Sequence, residues 1–311
     1  MLRRSLLWLS ERQGVSRFVR RNRLARRFAE RFVAGETVEQ AVAAAEGLAT
    51  RGITATLDLL GESVASPAEA GKAAAQVLAV LGRMADSGAI ERNISLKLTQ
   101  LGFDVDETGC RENLDRILER ARRLDAFVRI DMEGSAYTAR TLDLFEGSLF
   151  PHHGPHVGVV IQSALRRSAA DVDRLVALGA RVRLCKGAYR EPPDVAFPDK
   201  RDVDRSYVAL MERLLVDGHY PAIATHDEVL LSHARAFTAR EGIPAERYEF
   251  QMLYGVRRDL QDDLRAAGYR VRVYVPFGTR WYPYLMRRLA ERPANLAFIL
   301  GNLVREGLRR R

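Results

Sequence analysis

Two adjacent arginines near the end of the chain, Arg287 and Arg288, stand among the apolar residues Tyr284, Leu285, Met286 and Leu289. A guanidinium is a rigid fork of donors that matches a carboxylate or phosphate, and it stays charged when water is removed. The pair therefore suits a small anion held against an apolar wall; the plainer alternative is an amphipathic helix whose arginines face water. The chain has only four lysines, Lys72, Lys97, Lys186 and Lys200, and otherwise uses arginine for positive charge. Two of them close apolar runs, in Ile94-Ser95-Leu96-Lys97-Leu98 and Val182-Arg183-Leu184-Cys185-Lys186-Gly187. A compact ammonium at such a point implies a specific contact, and a buried one needs a carboxylate; Asp131, ending the next run after Lys97, is placed to supply it. Thr225-His226-Asp227 ends another run and opens a helix, where side-chain and backbone donors grip an anion or a dinucleotide. Leu253-Tyr254-Gly255 follows a further run and is placed to close over a ligand. His152-His153-Gly154-Pro155-His156 has no acid near it in sequence and is expected to be an exposed polar loop, not a metal site. His219 and His233 are expected at the surface.

These residues need a scaffold, and the hydrophobic pattern supplies one. Strand-like runs lie at 53–59, 93–98, 127–131, 157–161, 182–185, 222–225, 248–251 and 271–275. Helical patterns follow each of them, at 67–86, 112–123, 138–145, 169–178, 203–216, 228–240, 256–267 and 282–292. Short apolar runs alternating with amphipathic helices predict a parallel sheet, and eight such units predict a closed (β/α)8 barrel of the α/β class. An open doubly wound sheet is the alternative, but no Gly-rich dinucleotide fingerprint opens the first helix. In a barrel the chemistry sits at the carboxyl ends of the strands. Those ends read Asp58, Lys97, Asp131 with Glu133, Gln162, Lys186, Thr225 with His226, Gln251 and Tyr274.

Composition bounds the rest. With 311 residues and 47% hydrophobic content the chain can bury a large core. It has no apolar stretch near the ~20 residues that span a bilayer, and no secretory signal pattern. Two cysteines, Cys110 and Cys185, form no disulfide framework, so a cytoplasmic setting is expected. The net charge of +9 is concentrated in residues 1–32, which hold ten arginines against Glu11 and Glu30. A basic arm interleaved with Leu, Trp, Phe and Val suits an anionic membrane surface, with nucleic acid as the competing partner. A third option is a helical arm packed on the core through Leu24, Phe28, Phe32 and Val33. The expected organisation is an arm over residues 1–50 and a catalytic barrel over 51–311.

Seven stretches, in order, resemble the flavin-dependent proline dehydrogenase family, most closely its short monofunctional bacterial members. They are Ile94-Ser95-Leu96-Lys97-Leu98, Ile130-Asp131-Met132-Glu133, Val160-Ile161-Gln162, Val182 to Tyr189, Ala224-Thr225-His226-Asp227, Glu249 to Gly255 and Tyr284-Leu285-Met286-Arg287-Arg288. The resemblance covers roughly residues 30 to 300. It implies a distorted TIM-like (β/α)8 barrel with an N-terminal helical arm and the last helix folded over the barrel mouth. It also implies a flavoprotein oxidoreductase of proline catabolism, acting on a CH–NH group, which binds FAD non-covalently. L-Proline becomes Δ1-pyrroline-5-carboxylate, and electrons pass to a membrane quinone. A pyrroline-5-carboxylate dehydrogenase is the implied metabolic partner, and no nucleic acid or metal is implied.

Residue by residue, the resemblance implies that Arg287 and Arg288 clamp the proline carboxylate while Lys97 and Asp131 complete its polar surround. Tyr189, Leu253, Tyr274 and Tyr284 wall the ring. Gln162, Arg183, Lys186, Gly187 and Ala188 hold the isoalloxazine side with Met132 packed near it, Thr225 and His226 meet the adenine–diphosphate part, and Glu291 touches the cofactor or braces the arginines. Asp131 and Arg183 are the catalytic candidates. A carboxylate clamp fixes one end of the substrate and so supplies the face-to-face orientation of the two rings. A cation at Arg183 or Lys186 favours the reduced, anionic flavin. Without the resemblance, buried Lys97 or Lys186 on such a barrel would suit a Schiff-base aldolase, and the arm alone a basic nucleic-acid-binding protein. The expected location is cytoplasmic, with peripheral contact on the inner face of the membrane through the arm.

Overall fold

Within the apolar runs polar residues recur at every second position, as in Thr54-Ala55-Thr56-Leu57-Asp58, Asn93-Ile94-Ser95-Leu96-Lys97 and Glu249-Phe250-Gln251. Successive strand side chains point to opposite faces, so each run carries one apolar and one polar face. The computed structural model of the chain describes residues 29–189 and 191–291. In it the runs become β1 (Thr54–Leu59), β2 (Asn93–Leu96), β3 (Phe127–Ile130), β4 (Val157–Gln162), β5 (Arg181–Cys185), β6 (Ala222–Ala224), β7 (Glu249–Leu253) and β8 (Val271–Phe277). All eight are parallel and close into a barrel in chain order, β1 pairing with both β2 and β8. The apolar face joins the helices in one continuous core that includes Leu57, Ile94, Val128, Val159, Val182, Phe250 and Val273. The polar face points into the barrel.

The helices are α1 (Val38–Ala49), α2 (Pro67–Ser87), α3 (Glu107–Arg123), α4 (Ser135–Leu144), a short α5 (Phe150–His153), α6 (Ser168–Leu178), α7 (Lys200–Asp217), α8 (Glu228–Arg240), α9 (Arg258–Ala266) and α10 (Trp281–Glu291). Thr37 starts α1 through a reciprocal capping box with Gln40, as its type at that position predicts. Helix α2 begins on Ser66 with Pro67 in its first turn and stops at Gly88 in the left-handed region. Most boundaries shift by one to three residues, and two regions depart further from expectation. Helix α3 starts at Glu107, not 112, because the Asp106 side chain accepts from Gly109 N–H, a cap that the glycine behind it disguises. After α4 the chain makes a π turn over Phe145–Leu149 and runs into α5. That places His153 indoors, where its Nε2 lies 3.3 Å from Asp115 Oδ1. Of the stretch expected to be exposed, His152 and Pro155 are exposed, whereas His153 at the end of α5 is buried with its acid supplied from α3, 38 residues away. His219 and His233 are exposed, the latter paired with Glu212.

In a regular (β/α)8 barrel the helix after the last strand covers the seam between β8 and β1. Here α1 packs on both of those strands. It buries Ala41, Val42, Ala45 and Leu48 along one stripe, of which Val42 and Leu48 contribute about 1.5–3 kcal/mol each. Helix α10 is thereby released from the wall. Its Trp281, Tyr282, Tyr284, Leu285 and Met286 form a second apolar cluster with Ala29, Phe32, Val33 and Leu60 above the carboxyl ends of the strands. No described helix is long and apolar enough to cross a membrane.

Candidate active site

The inward polar face ends in a cavity of about 620 Å³ at the carboxyl ends of the strands, roofed by Tyr284 and Leu285 of α10 and by Phe32. Its lining includes every site candidate whose side chain is described: Lys97, Asp131, Met132, Gln162, Arg183, Lys186, Gly187, Ala188, Tyr189, Thr225, His226, Leu253, Tyr274 and Tyr284. The side chains of Arg287, Arg288 and Glu291 lie outside the described residues, as does the arm up to residue 28.

At the floor, Asp131 is the centre of a charged network. Its Oδ1 accepts from Arg183 Nη1 at 2.7 Å and its Oδ2 from the Tyr274 hydroxyl at 2.7 Å. Lys97 Nζ lies 3.7 Å from Asp131 but closer, at 3.3 Å, to Asp58 Oδ1. The expected Lys97–Asp131 tie is thus a triad in which Asp58, completely buried on β1, is the nearer partner. Burial alone would lower the ammonium's pKa, yet the two carboxylates outweigh it and hold Lys97 above its ordinary value. A Schiff-base lysine must shed its proton, so this environment disfavours the aldolase alternative at Lys97. Burial, with Asp131 beside it, pushes Asp58 above the usual carboxylate range against the pull of Lys97. Burial likewise drives the Tyr274 hydroxyl well above its normal value, and the neighbouring Asp131 and Asp58 add to the effect, so it donates and does not ionise.

Arg183 reaches across the barrel. Its Nε donates to Gln251 Oε1 at 2.6 Å and its Nη1 also to Ser95 Oγ at 3.1 Å. Its Nη2 is buried and has no hydrogen-bond partner among the described residues. Beneath it, in the barrel interior, Arg272 Nε donates to both oxygens of Glu249 at 2.9 and 3.1 Å. Glu249, Arg272 and the buried Arg129 were not candidates from sequence; the period-two placement of charge inside apolar strands is the signal that would have found them.

Higher up, Lys186 Nζ is held between Asp204 Oδ1 at 2.6 Å and Asp227 Oδ2 at 2.9 Å, and Lys200 pairs with Asp204 as well. Burial works against both carboxylates, but their bonds to the lysines prevail and keep them below the ordinary range. The backbone N–H of Leu253 donates to His226 Nε2 at 2.9 Å, which leaves the proton of a neutral ring on Nδ1. Gln162 donates to the carbonyls of Met132 and Glu133 at 3.3 and 3.1 Å, tying β4 to the end of β3. Gly255 has φ +73°, and a Cβ there would lie 1.7 Å from the carbonyl oxygen of Arg31. Only glycine lets the loop after β7 pass against the segment that leads into Phe32 and the roof. Among the described residues no group of three or more His, Cys, Asp or Glu is placed to hold a metal ion.

The comparisons with known proteins agree with one another. The proline dehydrogenase family model matches residues 41–300. Proline dehydrogenase of Deinococcus radiodurans is 41% identical over 308 residues, 98% of this chain and 98% of that protein. Proline dehydrogenase 1 of Bacillus subtilis (strain 168) is 40% identical over 308 residues, 98% of this chain and all of that protein. In solved structures, this chain resembles proline utilization A (PutA) from Bdellovibrio bacteriovorus inactivated by N-propargylglycine. The TM-score is 0.78 at 27% identity, over 85% of this chain and 32% of that much longer one. A family model that matches most of the chain and a match along nearly the whole length of short relatives lead to one conclusion: the chain belongs to the proline dehydrogenase family.

Proposed function

We propose that the chain oxidises L-proline to Δ1-pyrroline-5-carboxylate in the cavity under α10, with FAD held non-covalently along the rim of β4 to β6. The observation that carries this reading is the Asp131–Arg183–Tyr274–Lys97 network at the floor of a cavity far larger than one amino acid needs. Three features suit a flavin dinucleotide. The cavity extends from Asp58 to Lys200. Arg183 Nη2 is a buried donor without a hydrogen-bond partner among the described residues. Gly187, at φ +107°, presents bare backbone beside Gln162 and Ala164. When bound, FAD supplies the two-electron acceptor of the oxidation. Gln162, Lys186, Gly187, Ala188, Met132, Thr225 and His226 would hold it, with Arg183 adjacent, and Glu291 would touch or brace it. Arg287 and Arg288 would grip the substrate carboxylate, the tyrosines and Leu253 would enclose the ring, and Lys97 with Asp131 would complete the polar wall.

The same reading assigns residues 1–50 to an arm packed on the barrel of residues 51–311. The basic part of that arm would rest on the inner face of the cytoplasmic membrane, where a quinone takes up the electrons. Adding L-proline anaerobically to the purified holoprotein should bleach its visible flavin absorption. A colourless preparation, or a spectrum that L-proline leaves unchanged, would overturn the assignment.

A further inference from the structure

We infer that Gln251, beside Arg183 in the cavity lining, and Glu249 beneath it are positioning residues that determine how the Arg183 guanidinium faces the reacting groups. The inference rests on the proposed function and extends it to two residues to which that function gives no contact with substrate or cofactor. The guanidinium is planar, so two anchored edges fix the third. Nε is held by Gln251 at 2.6 Å and Nη1 by Asp131 at 2.7 Å and Ser95 at 3.1 Å, which leaves Nη2 as the buried N–H without a partner among the described residues. A carboxamide, however, can turn over and present its NH2 where its oxygen was. At Gln251 that choice is made from below, since its Nε2 donates to Glu249, two residues earlier on the inward face of β7. An ionised carboxylate only accepts, so the amide nitrogen must face Glu249 and the amide oxygen must face Arg183.

Glu249 is kept ionised by Arg272, its neighbour on β8. Burial acts to raise the pKa of Glu249, but the guanidinium with its two bonds brings it to about 2. Arg272 is itself fixed by the Ala55 carbonyl at 3.0 Å and by Glu91 at 2.6 Å. Donors therefore run in one direction without a break, from Arg272 and Gln251 onto Glu249 and from Arg183 onto Gln251. Reversing any one of them would turn an N–H toward an N–H inside the barrel.

The test is Gln251→Met, which keeps the volume and removes both bonds, measured in the wild-type and Arg183→Lys backgrounds. In the wild-type background kcat should fall by about tenfold or more, with bound flavin retained and the KM for proline within about twofold. In the Arg183→Lys background the same substitution should change kcat by less than about twofold, because its route of action is already gone. The midpoint potential of the bound flavin should follow the same pattern, shifting in the first background only. Equal factors in both backgrounds, or an unaltered kcat and potential in Gln251→Met alone, would overturn the inference. Glu249→Gln, which frees the amide to turn, is read by the same criteria if the methionine variant does not fold. A wild-type flavin that L-proline fails to bleach would instead sink the proposed function, so the two failures are distinguishable.

Discussion

Replacing Lys97 by methionine isolates the charge at the centre of the site while keeping the length and apolar stem of the side chain. The ammonium lies 3.3 Å from Asp58 and 3.7 Å from Asp131, with little of any of the three exposed. At an effective dielectric of ~20 these separations correspond to attractions of about 5 and about 4.5 kcal/mol. Desolvation of the three groups offsets much of that, and removing one partner of a buried pair typically costs about 3–5 kcal/mol. Asp131 keeps Arg183 and Tyr274 after the substitution. Among the described residues Asp58 has no other cation within ion-pair distance, and its Oδ2 already lacks a hydrogen-bond partner. The loss should therefore fall on Asp58.

The pH dependence gives the test its edge. In the wild type, burial holds Asp58 above the ordinary carboxylate range while Lys97 opposes the shift; without Lys97 the folded-state value rises further. A carboxyl whose folded pKa exceeds its unfolded one supports the fold when protonated, below about pH 4. It loses that support as the pH rises through the raised folded value. Lys97→Met should thus cost about 3–5 kcal/mol at pH 8 and clearly less at pH 5. Urea unfolding followed by far-UV circular dichroism at both pH values, with equal excess flavin, measures the two differences. An equal loss at pH 5 and pH 8 would refute the charge argument, and no loss at pH 8 would refute the pairing itself.

Arg287→Met should raise the KM for proline by about a hundredfold or more, or roughly 2.7 kcal/mol, with bound flavin retained; loss of flavin instead would contradict its assignment to the substrate carboxylate. Deleting residues 1–28 should weaken sedimentation with anionic liposomes while dye-coupled proline oxidation survives, and unchanged sedimentation would refute a membrane role for the arm. The cut must stop there, because Ala29, Phe32 and Val33 belong to the roof cluster and their removal would open the cavity.

Much of this protein was legible before its coordinates, and the reasons are local. Eight apolar runs separated by amphipathic stretches specify a parallel barrel because each depends only on neighbours in sequence, and the polar strand ends mark its functional face. What escaped depends on residues far apart in the chain. Asp58 stood among the strand ends, but only the register of β1 against β2, with Asp58 opposite Ser95, puts it nearer to Lys97 than Asp131 is. Glu249 and Arg272 looked like isolated charges in apolar strands, and only the pairing of β7 with β8 brings them together. His153 seemed exposed because its acid, Asp115, lies on another helix. Helix starts slipped where a cap was weakly signalled, as at Asp106 with Gly109 behind it.

The exchange of helices at the barrel seam connects the fold to the chemistry. An amphipathic pattern states that a face is buried but not against what, so the segment after β8 reads equally well as wall or roof. If α10 covered the seam, the arginines that follow Met286 would be carried on the outside of the barrel, away from Lys97. Because α1 fills that place with Ala41, Val42, Ala45 and Leu48, the last helix lies across the strand ends and puts Tyr284 and Leu285 against the cavity. An apolar roof held by Phe32 and Leu60 lies above a floor of paired charges, and charge-assisted contacts gain strength as water is displaced. The small residues of α1 are thus part of what would permit the proposed substrate clamp on Arg287 and Arg288. Enlarging Ala41 or Ala45, both fully buried at the seam, would act on the site by pushing a wall helix outward and not by touching any group within it.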